Sequence, residues 1–472
     1  MSGNPKENPK LLIVSYYFLR TQSSGGHRLH AITKYLSRRG WEVTVLTVAR
    51  DSPRGKPLDD QTVRKYIPME TKVIRTRSLE FERLRAYVSR NKGEGSSDSG
   101  RDSAAEVGGR RGGATDRLRS LLKAPGRWVN SVVSFPDRQI GWFFPLLFGG
   151  WRLIRRQRFD VVLTSGPPHS CHLPFVLLKK MLHFTWVADF RDPWTNPPFY
   201  AIRAISLSKR PFFLLLNRLL EGRVLASCDR IVANTPGNEE ALREAFPNID
   251  REKVAVITNG IDEEIVGAPG SLDDSVLDCD FVFTGAMYPR MLNVYLEALE
   301  VLRSYGKQQI PVLHIFGDAE EELKTKVRER GFERSIVFKG SVSYEESLWV
   351  LKHANALLLL FIGHDEVYRR SVPSKLYAYL FSGTPYFALV PEGDAAKILE
   401  RVAGGVVVKS LEPREMAAKM VSFLESKSKE TGEFGRNLDV LSDYSWSMLS
   451  SKFDRLLREG RGDLRDGETP YC

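Results

Sequence analysis

No apolar run in this sequence reaches the ~20 residues that a membrane-spanning helix requires. The two longest, WFFPLLFGGW (142–151) and PFFLLLNRLL (211–220), fall well short of that. The opening MSGNPKENPK is polar and leads into no leader-like apolar stretch, so no signal peptide is expected. Cysteine is scarce: Cys171, Cys228, Cys279 and Cys472 are the four in 472 residues, and no two have C-x-x-C spacing. That argues against a disulfide scaffold and a cysteine zinc site, and points to a reducing, cytoplasmic setting. A Walker loop and a G-x-G-x-x-G dinucleotide fingerprint are both missing. So are an RRM-like aromatic motif, a zinc-finger pattern and a basic zipper, which leaves a nucleic-acid partner supported by charge alone and not expected.

What is present is the balance of an ordinary globular protein, with 42% hydrophobic and 27% charged residues, in a chain long enough for two or three domains. The net charge of +11 is unevenly spread. Residues 1–262 hold 43 Lys and Arg against 25 Asp and Glu, and the remainder 26 against 33, which gives +18 and −7. An anionic partner of the first half would fit: a phosphate-bearing substrate or an anionic membrane face. A solubilising surface fits equally.

The chain alternates strand and helix from its start. LLIVSYY (11–17) has the length and apolarity of a buried parallel strand. The loop RTQSSGG follows, then a helix over HRLHAITKYLSRRG with Leu29, Ile32 and Leu36 on one face and Gly40 as its stop. WEVTVLTV (41–48) is the next strand, completing a βαβ opening and implying a right-handed crossover. Residues 90–116, rich in Gly, Ser and charge, have too little apolar surface to offset ordering entropy and predict a disordered insertion. Helical signals run through 117–158. Strands are expected in FDVVLTSGP (159–167), FTWVADFRD (184–192) and VAVITNGID (254–262). An acidic, turn-rich linker at 263–278 separates a second series: strands in DFVFTGAM (280–287), PVLHIFGD (311–318), SIVFKG (335–340) and NALLLLFI (355–362), and a helix over 293–306. Two doubly wound α/β domains with a cleft between them, spanning 1–262 and 279–443, are the simplest architecture. Residues 444–472 read as a helix and tail that return towards the first domain.

The segment richest in chemistry is RRSVPSKLYAYLFSGTPYFAL (369–389). A turn-rich lead-in, Ser371 to Ser374, opens a helix with Lys375 in its first turn. Unpaired N–H groups and a full positive charge there suit a diphosphate. A plain Ser-capped amphipathic helix is the competing description. Asp189, Arg191 and Asp192 fall at the carboxyl end of a strand, the edge where such sheets bind ligands. A structural Asp–Arg pair would explain them as well.

The 369–389 stretch resembles the donor-binding helix of glycosyltransferase family 4. VADFRDPW (187–194), DVVLTSGPPHS (160–170), DRIVANTPGNEEALREAF (229–246), VITNGID (256–262) and the Gly-Gly pair at 25–26 are similar to family segments in family order. The resemblance implies a GT-B fold: two Rossmann-like domains facing each other across a cleft, the second binding a nucleotide sugar. It implies a nucleotide-sugar-dependent glycosyltransferase of hexosyltransferase type. Such an enzyme moves a sugar, with retention, from a UDP- or GDP-sugar to a hydroxyl of a glycan or lipid-linked acceptor in polysaccharide or glycoconjugate synthesis.

Carried over residue by residue, the resemblance places Gly25, Gly26, Asn259, Gly285, Ser371, Val372 and Ser374 at the donor. Arg290 and Lys375 become a two-point clamp on the diphosphate, and Asp189, Arg191 and Asp192 join them as candidate catalytic groups. His27, His169, Asp262, Asp365 and Glu366 are candidates for the acceptor or the cleft. The nucleotide sugar is a substrate rather than a cofactor. No metal is expected, because the clamp takes the ion's role.

One departure stands out: the family's E-x7-E pair falls on Arg370 and Ala378, and alanine cannot accept a hydrogen bond from ribose. This keeps a second reading open, a non-catalytic subunit of a glycan-assembly complex. Basic and aromatic residues mixed over 127–158 and 201–223 fit either peripheral contact with anionic lipid at the inner membrane face or core helices with snorkelling arginines.

Overall fold

A computed structural model describes residues 8–18, 24–50, 60–79, 135–195, 211–266, 277–306, 310–363, 366–428 and 434–462. The 90–116 insertion, residues 117–134, most of the 263–278 linker, Asp365 and Cys472 lie outside them. The chain forms two compact units. The first takes residues up to Val232, Ala245–Ala255 and everything from Leu456 onward; the second takes Ala233–Glu244 and Val256–Arg455. Where the chain pattern put one break at 262, the units interleave.

The first unit is built on a seven-stranded sheet: β1 (Lys10–Val14), β2 (Glu42–Val48), β3 (Lys72–Thr76), β4 (Val161–Gly166), β5 (Thr185–Phe190), β6 (Arg230–Ala233) and β7 (Val254–Val256), in the order β3-β2-β1-β4-β5-β6-β7. Strands β3 to β5 of that order pair in parallel. Its helices are α1 (Ser24–Arg38), α2 (Asp60–Tyr66), α3 (Phe143–Gln157), α4 (Leu173–Met181) and α5 (Pro211–Ser227). A 3-10 turn, His169–His172, precedes α4. α1 starts earlier than its apolar stripe suggests, so Gly25 and Gly26 occupy its first turn and not the preceding loop. First-turn N–H groups need no intrahelical partner, which makes this a tolerant place for glycine. Gly40, at φ +86°, stops α1 as expected.

The second unit begins with α6 (Pro236–Ala245), and α7 (Glu263–Val266) follows. Its six-stranded sheet contains β8 (Phe281–Thr284), β9 (Leu313–Phe316), β10 (Ile336–Gly340), β11 (Leu357–Leu360), β12 (Tyr386–Leu389) and β13 (Gly405–Val408), in the order β10-β9-β8-β11-β12-β13, all pairs parallel. The remaining helices are α8 (Pro289–Ser304), α9 (Glu321–Glu329), α10 (Tyr344–His353), α11 (Glu366–Arg369), α12 (Lys375–Phe381), α13 (Asp394–Val402), α14 (Pro413–Ser428), α15 (Leu438–Ser442) and α16 (Trp446–Arg461). α8 starts at Pro289, because proline's fixed φ and missing N–H suit the first helical position. Arg290 therefore sits in a first turn. The last turns of α16 belong to the first unit, where the Thr185 hydroxyl donates to the Gly460 carbonyl at 3.0 Å.

Why the strands are unbroken apolar runs is visible in β11. Leu357 and Leu359 enter one core cluster, and Leu358 and Leu360 enter another on the opposite face. A parallel sheet covered on both sides needs apolar residues at every strand position. Cys171, Cys228 and Cys279 are free and buried. Among the described residues no helix is long and apolar enough to cross a membrane.

Candidate functional site

Each sheet has a switch point, between β1 and β4 in the first unit and between β8 and β11 in the second, where successive connections leave in opposite directions. Open α/β sheets bind ligands beyond the carboxyl ends of strands at such points.

In the second unit β8 ends at Thr284, and Gly285 turns away from it with φ +101°, a conformation glycine adopts without strain. The loops after β8 and β9 meet backbone to backbone: a Cβ on Gly317 would lie 2.1 Å from the Gly285 carbonyl. Helix α12 is pinned to this edge by Tyr379. Its hydroxyl accepts from the Thr284 N–H at 3.0 Å and donates to the Leu358 carbonyl at 3.3 Å, joining β8 and β11 across the switch point.

One turn earlier on the same face of α12, Lys375 reaches the end of β8. Its ammonium donates to the Thr284 carbonyl at 3.2 Å and lies 3.7 Å from the Phe283 ring centroid. Among the described residues it has no carboxylate partner. Desolvation lowers its pKa from the usual lysine range to about 7. Gly285 keeps one side open, since a Cβ there would stand 3.7 Å from Lys375 Nζ. Arg290 lies five residues beyond Gly285, exposed in the first turn of α8, whose capping residue Tyr288 makes no side-chain bond to the helix amides. The structure thus brings Gly285, Arg290 and Lys375 to one sheet edge. Ser371 is half-buried, Val372 is in the core and Ser374 is exposed.

One triplet with D-x-D spacing, Asp278-Cys279-Asp280, is present in the sequence and lies at the other end of β8. Asp280 there accepts from the Val312 N–H at 2.8 Å, so it ties the starts of β8 and β9 together, away from the lysine. The two positions of the missing glutamate pair are also accounted for. Ala378 is buried in an apolar cluster. Arg370 forms a two-pronged ion pair with Glu244 at 2.7 and 2.8 Å and a third contact with Glu366 at 3.1 Å. Glu366 is thereby engaged structurally. Gly260 packs under Tyr444, and Ile261 bridges to Ser445, which fixes the half-buried Asn259 and the buried Asp262; the Asp262 carboxylate accepts from the Glu264 N–H at 3.3 Å.

In the first unit Asp189 is fully buried. It accepts from Arg28 at 2.9 and 3.3 Å and from the Ser165 hydroxyl at 2.7 Å. The structural ion pair is real, but its cation is Arg28 of α1 and not Arg191. Arg28 lies four residues before Ile32, on the apolar stripe of α1, and an arginine in that register was the available signal. Arg191 instead holds the turn after β4 through the carbonyls of Gly166 at 3.1 Å and Pro167 at 2.5 Å. Asp192 is half-buried, as is His27.

His169, a candidate for the acceptor or the cleft, is buried. It stacks on Trp194 at 5.1 Å and on Phe190 at 5.7 Å. Burial, with His172 and Arg191 nearby, drives its pKa well below the normal histidine value, so the ring stays neutral.

The glycosyl transferase 4-like domain family matches residues 25–260, half of the chain. The protein belongs to that family. Its two-sheet α/β architecture is the GT-B fold, and it is a glycosyltransferase. Among solved structures it is similar to sucrose-phosphate synthase of Thermosynechococcus elongatus, with TM-score 0.63, 12% identity, and coverage of 97% of this chain and 100% of that one. It is also similar to Anabaena HepE in complex with UDP-glucose, with TM-score 0.59, 13% identity, and coverage of 95% and 99%. A third is an S. aureus TarM mutant in complex with Fondaparinux, alpha-GlcNAc-glycerol and UDP, with TM-score 0.59, 12% identity, and coverage of 95% and 99%. No curated protein matches the sequence. At such identities the likeness is one of fold, and the site of this glycosyltransferase rests on its own residues.

The Arg28–Asp189 pair gives a direct test. Arg28→Met and Asp189→Asn should each lower unfolding stability by about 3–5 kcal/mol, because each strands a buried partner. Denaturant titration of the single and double variants should show the double costing less than the sum. Additive losses would mean that the two side chains do not share one interaction.

Proposed function

We propose that this glycosyltransferase takes its sugar from a nucleoside-diphosphate sugar, UDP- or GDP-linked, held at the carboxyl edge of the second sheet. Lys375 and Arg290 clamp the diphosphate. The observation that carries this reading is the Lys375 ammonium: desolvated, without a carboxylate and beside an open glycine. A partly dehydrated cation in that state gains most from an anion brought to it. As the glycosidic bond breaks, charge grows on the leaving diphosphate, and the two cations stabilise that charge more than they stabilise the bound donor. The UDP-glucose and UDP in the Anabaena and S. aureus structures support a uridine nucleotide.

The first unit supplies the acceptor side. A hydroxyl of a glycan or lipid-linked precursor receives the sugar with retention of configuration, in cell-surface polysaccharide or glycoconjugate synthesis. Asp192 and His27 are the first-unit candidates that the structure leaves part-exposed. No metal takes part, since the clamp supplies the positive charge.

A second reading, a non-catalytic member of a glycan-assembly complex, draws on Ala378 and on the engagement of Arg370 by Glu244 and Glu366. Release of nucleoside diphosphate from UDP- or GDP-sugars separates the two: turnover supports the enzyme, and tight binding without turnover supports the subunit.

UDP and GDP should raise the melting temperature of the wild type, and Lys375→Ala and Arg290→Ala should each reduce the shift. Lys375→Ala should also lower kcat by about 10²–10³. Unchanged shifts in both variants would remove the clamp.

A bound diphosphate raises the Lys375 pKa above its free value of about 7, so the complex holds more protons than the separate partners at higher pH. Nucleotide affinity should fall as pH climbs from about 7, and calorimetry near pH ~8 should record proton uptake that Lys375→Met abolishes. The same depressed pKa means that the unfolded chain binds more protons between about 7 and the ordinary lysine value of 10.5. Unliganded stability should therefore gain a contribution as pH rises through that window. Activity should survive exhaustive chelation; loss that returns with added divalent cation would overturn the metal-free clamp.

A further inference from the structure

Helix α5 of the first unit exposes large apolar side chains and buries polar ones. Phe212, Leu215 and Leu219 are 67%, 58% and 55% exposed, while Asn217 and Glu221, 8% and 1% exposed, are buried beside Val224 and Leu225. The buried polar groups are satisfied. Asn217 accepts from the Trp194 indole at 3.2 Å and Glu221 from the Thr195 hydroxyl, and burial raises the Glu221 pKa to about 7. A stripe at i, i+3 and i+7 has the spacing of an amphipathic face, and here it stays exposed, with Phe212 edge-on to Phe213 at 5.4 Å.

The neighbours of α5 repeat the pattern. α3 packs on α4, and α4 packs on α5, so the three form one layer on one face of the sheet. α3 exposes Phe144 and Phe148, and α4 exposes Leu177 and Met181. Seven of the thirteen exposed large hydrophobic side chains among the described residues lie on these three helices.

Charge decides what covers the layer. α3 and α4 contain no Asp or Glu, and the single acid of α5 is the buried Glu221. Arg152, Arg156, Lys180 and Arg223 are exposed, and none has a carboxylate partner among the described residues. Apolar tips with uncompensated arginine and lysine around them match the boundary between acyl chains and anionic headgroups. A second copy fits poorly, because a two-fold contact would set this cationic face against itself.

We propose that the α3–α4–α5 layer seats the protein on an anionic lipid bilayer, with Phe212, Leu215 and Leu219 inserted below the headgroups and the basic residues among them. The layer belongs to the first unit and Lys375 to the second, and the two readings share no residue, so failure of one leaves the other standing.

The test is co-sedimentation of the full chain with vesicles of phosphatidylcholine alone and of phosphatidylcholine with phosphatidylglycerol at about three to one. The protein should pellet with the anionic vesicles, weakly or not at all with the neutral ones, and less as salt rises. Two exposed double variants, Phe212→Ser with Leu219→Ser and Arg152→Glu with Arg156→Glu, should each weaken partitioning by roughly tenfold or more. Both should keep the wild-type melting temperature and its shift with UDP, which separates lost docking from lost folding. Equal binding to both vesicle types, no binding to either, or unchanged partitioning in both variants would overturn the proposal. So would a concentration-dependent dimer that the Phe212→Ser, Leu219→Ser variant dissolves. Duplex DNA binding as tight as vesicle binding, and equally indifferent to that variant, would overturn it too.

Discussion

A sheet that is apolar on both faces has nowhere to put chemistry except beyond its strand ends. In the second unit that constraint places Thr284, Gly285 and the first turns of α8 and α12 at one edge, and the Tyr379 hydroxyl ties β8, β11 and α12 together there. Lys375 rises from that tie with its ammonium held by one carbonyl and one ring. The close passage of Gly317 against Gly285 fixes the same loops from the other side. The donor reading depends on this edge being rigid before any ligand arrives, because a pre-oriented cation gives its full effect without reorganising.

Two cations, Arg28 buried and Lys375 half-buried, show how differently one charge can be used. Arg28 is fully committed: Asp189 meets it with both oxygens, and Ser165 completes the carboxylate. Such a pair holds α1, β4 and β5 in register and leaves nothing for a substrate. Lys375 is the reverse, with its charge desolvated but not matched. A cation kept in that state is costly in the free protein, and an arriving phosphate removes the cost. The contrast moves Asp189 from candidate chemistry to architecture and concentrates the proposed chemistry on Lys375 and Arg290.

Arg370 and Ala378 mark where this chain has gone its own way. A family glutamate pair is replaced by an arginine bound to Glu244 and Glu366 and by an alanine in the core. The arginine joins α6 to the α11 segment, and the Thr235 hydroxyl donates to its carbonyl at 2.5 Å, so the position has become structural. On the proposed donor reading, nucleoside recognition rests on groups other than a carboxylate at these two positions. Independently, α5 leaves phenylalanine and leucine exposed, and the layer around it carries no exposed acid.

The strand runs, the βαβ order, Gly40 as a helix stop and Lys375 at the head of its helix were legible in the sequence, because periodicity, capping and backbone preference act over a few neighbouring residues. The start of α1, which drew Gly25 and Gly26 into the helix, was less so, since glycine carries no stripe to read. Tertiary structure alone decided that Asp189 pairs with Arg28, that His169 lies stacked and neutral against Trp194, and that α5 buries Asn217 and Glu221 while leaving Phe212, Leu215 and Leu219 exposed. Each of these is a choice of partner between segments far apart in the chain. Which partner wins depends on the three-dimensional register of strand ends and helix faces, and no local pattern encodes that register.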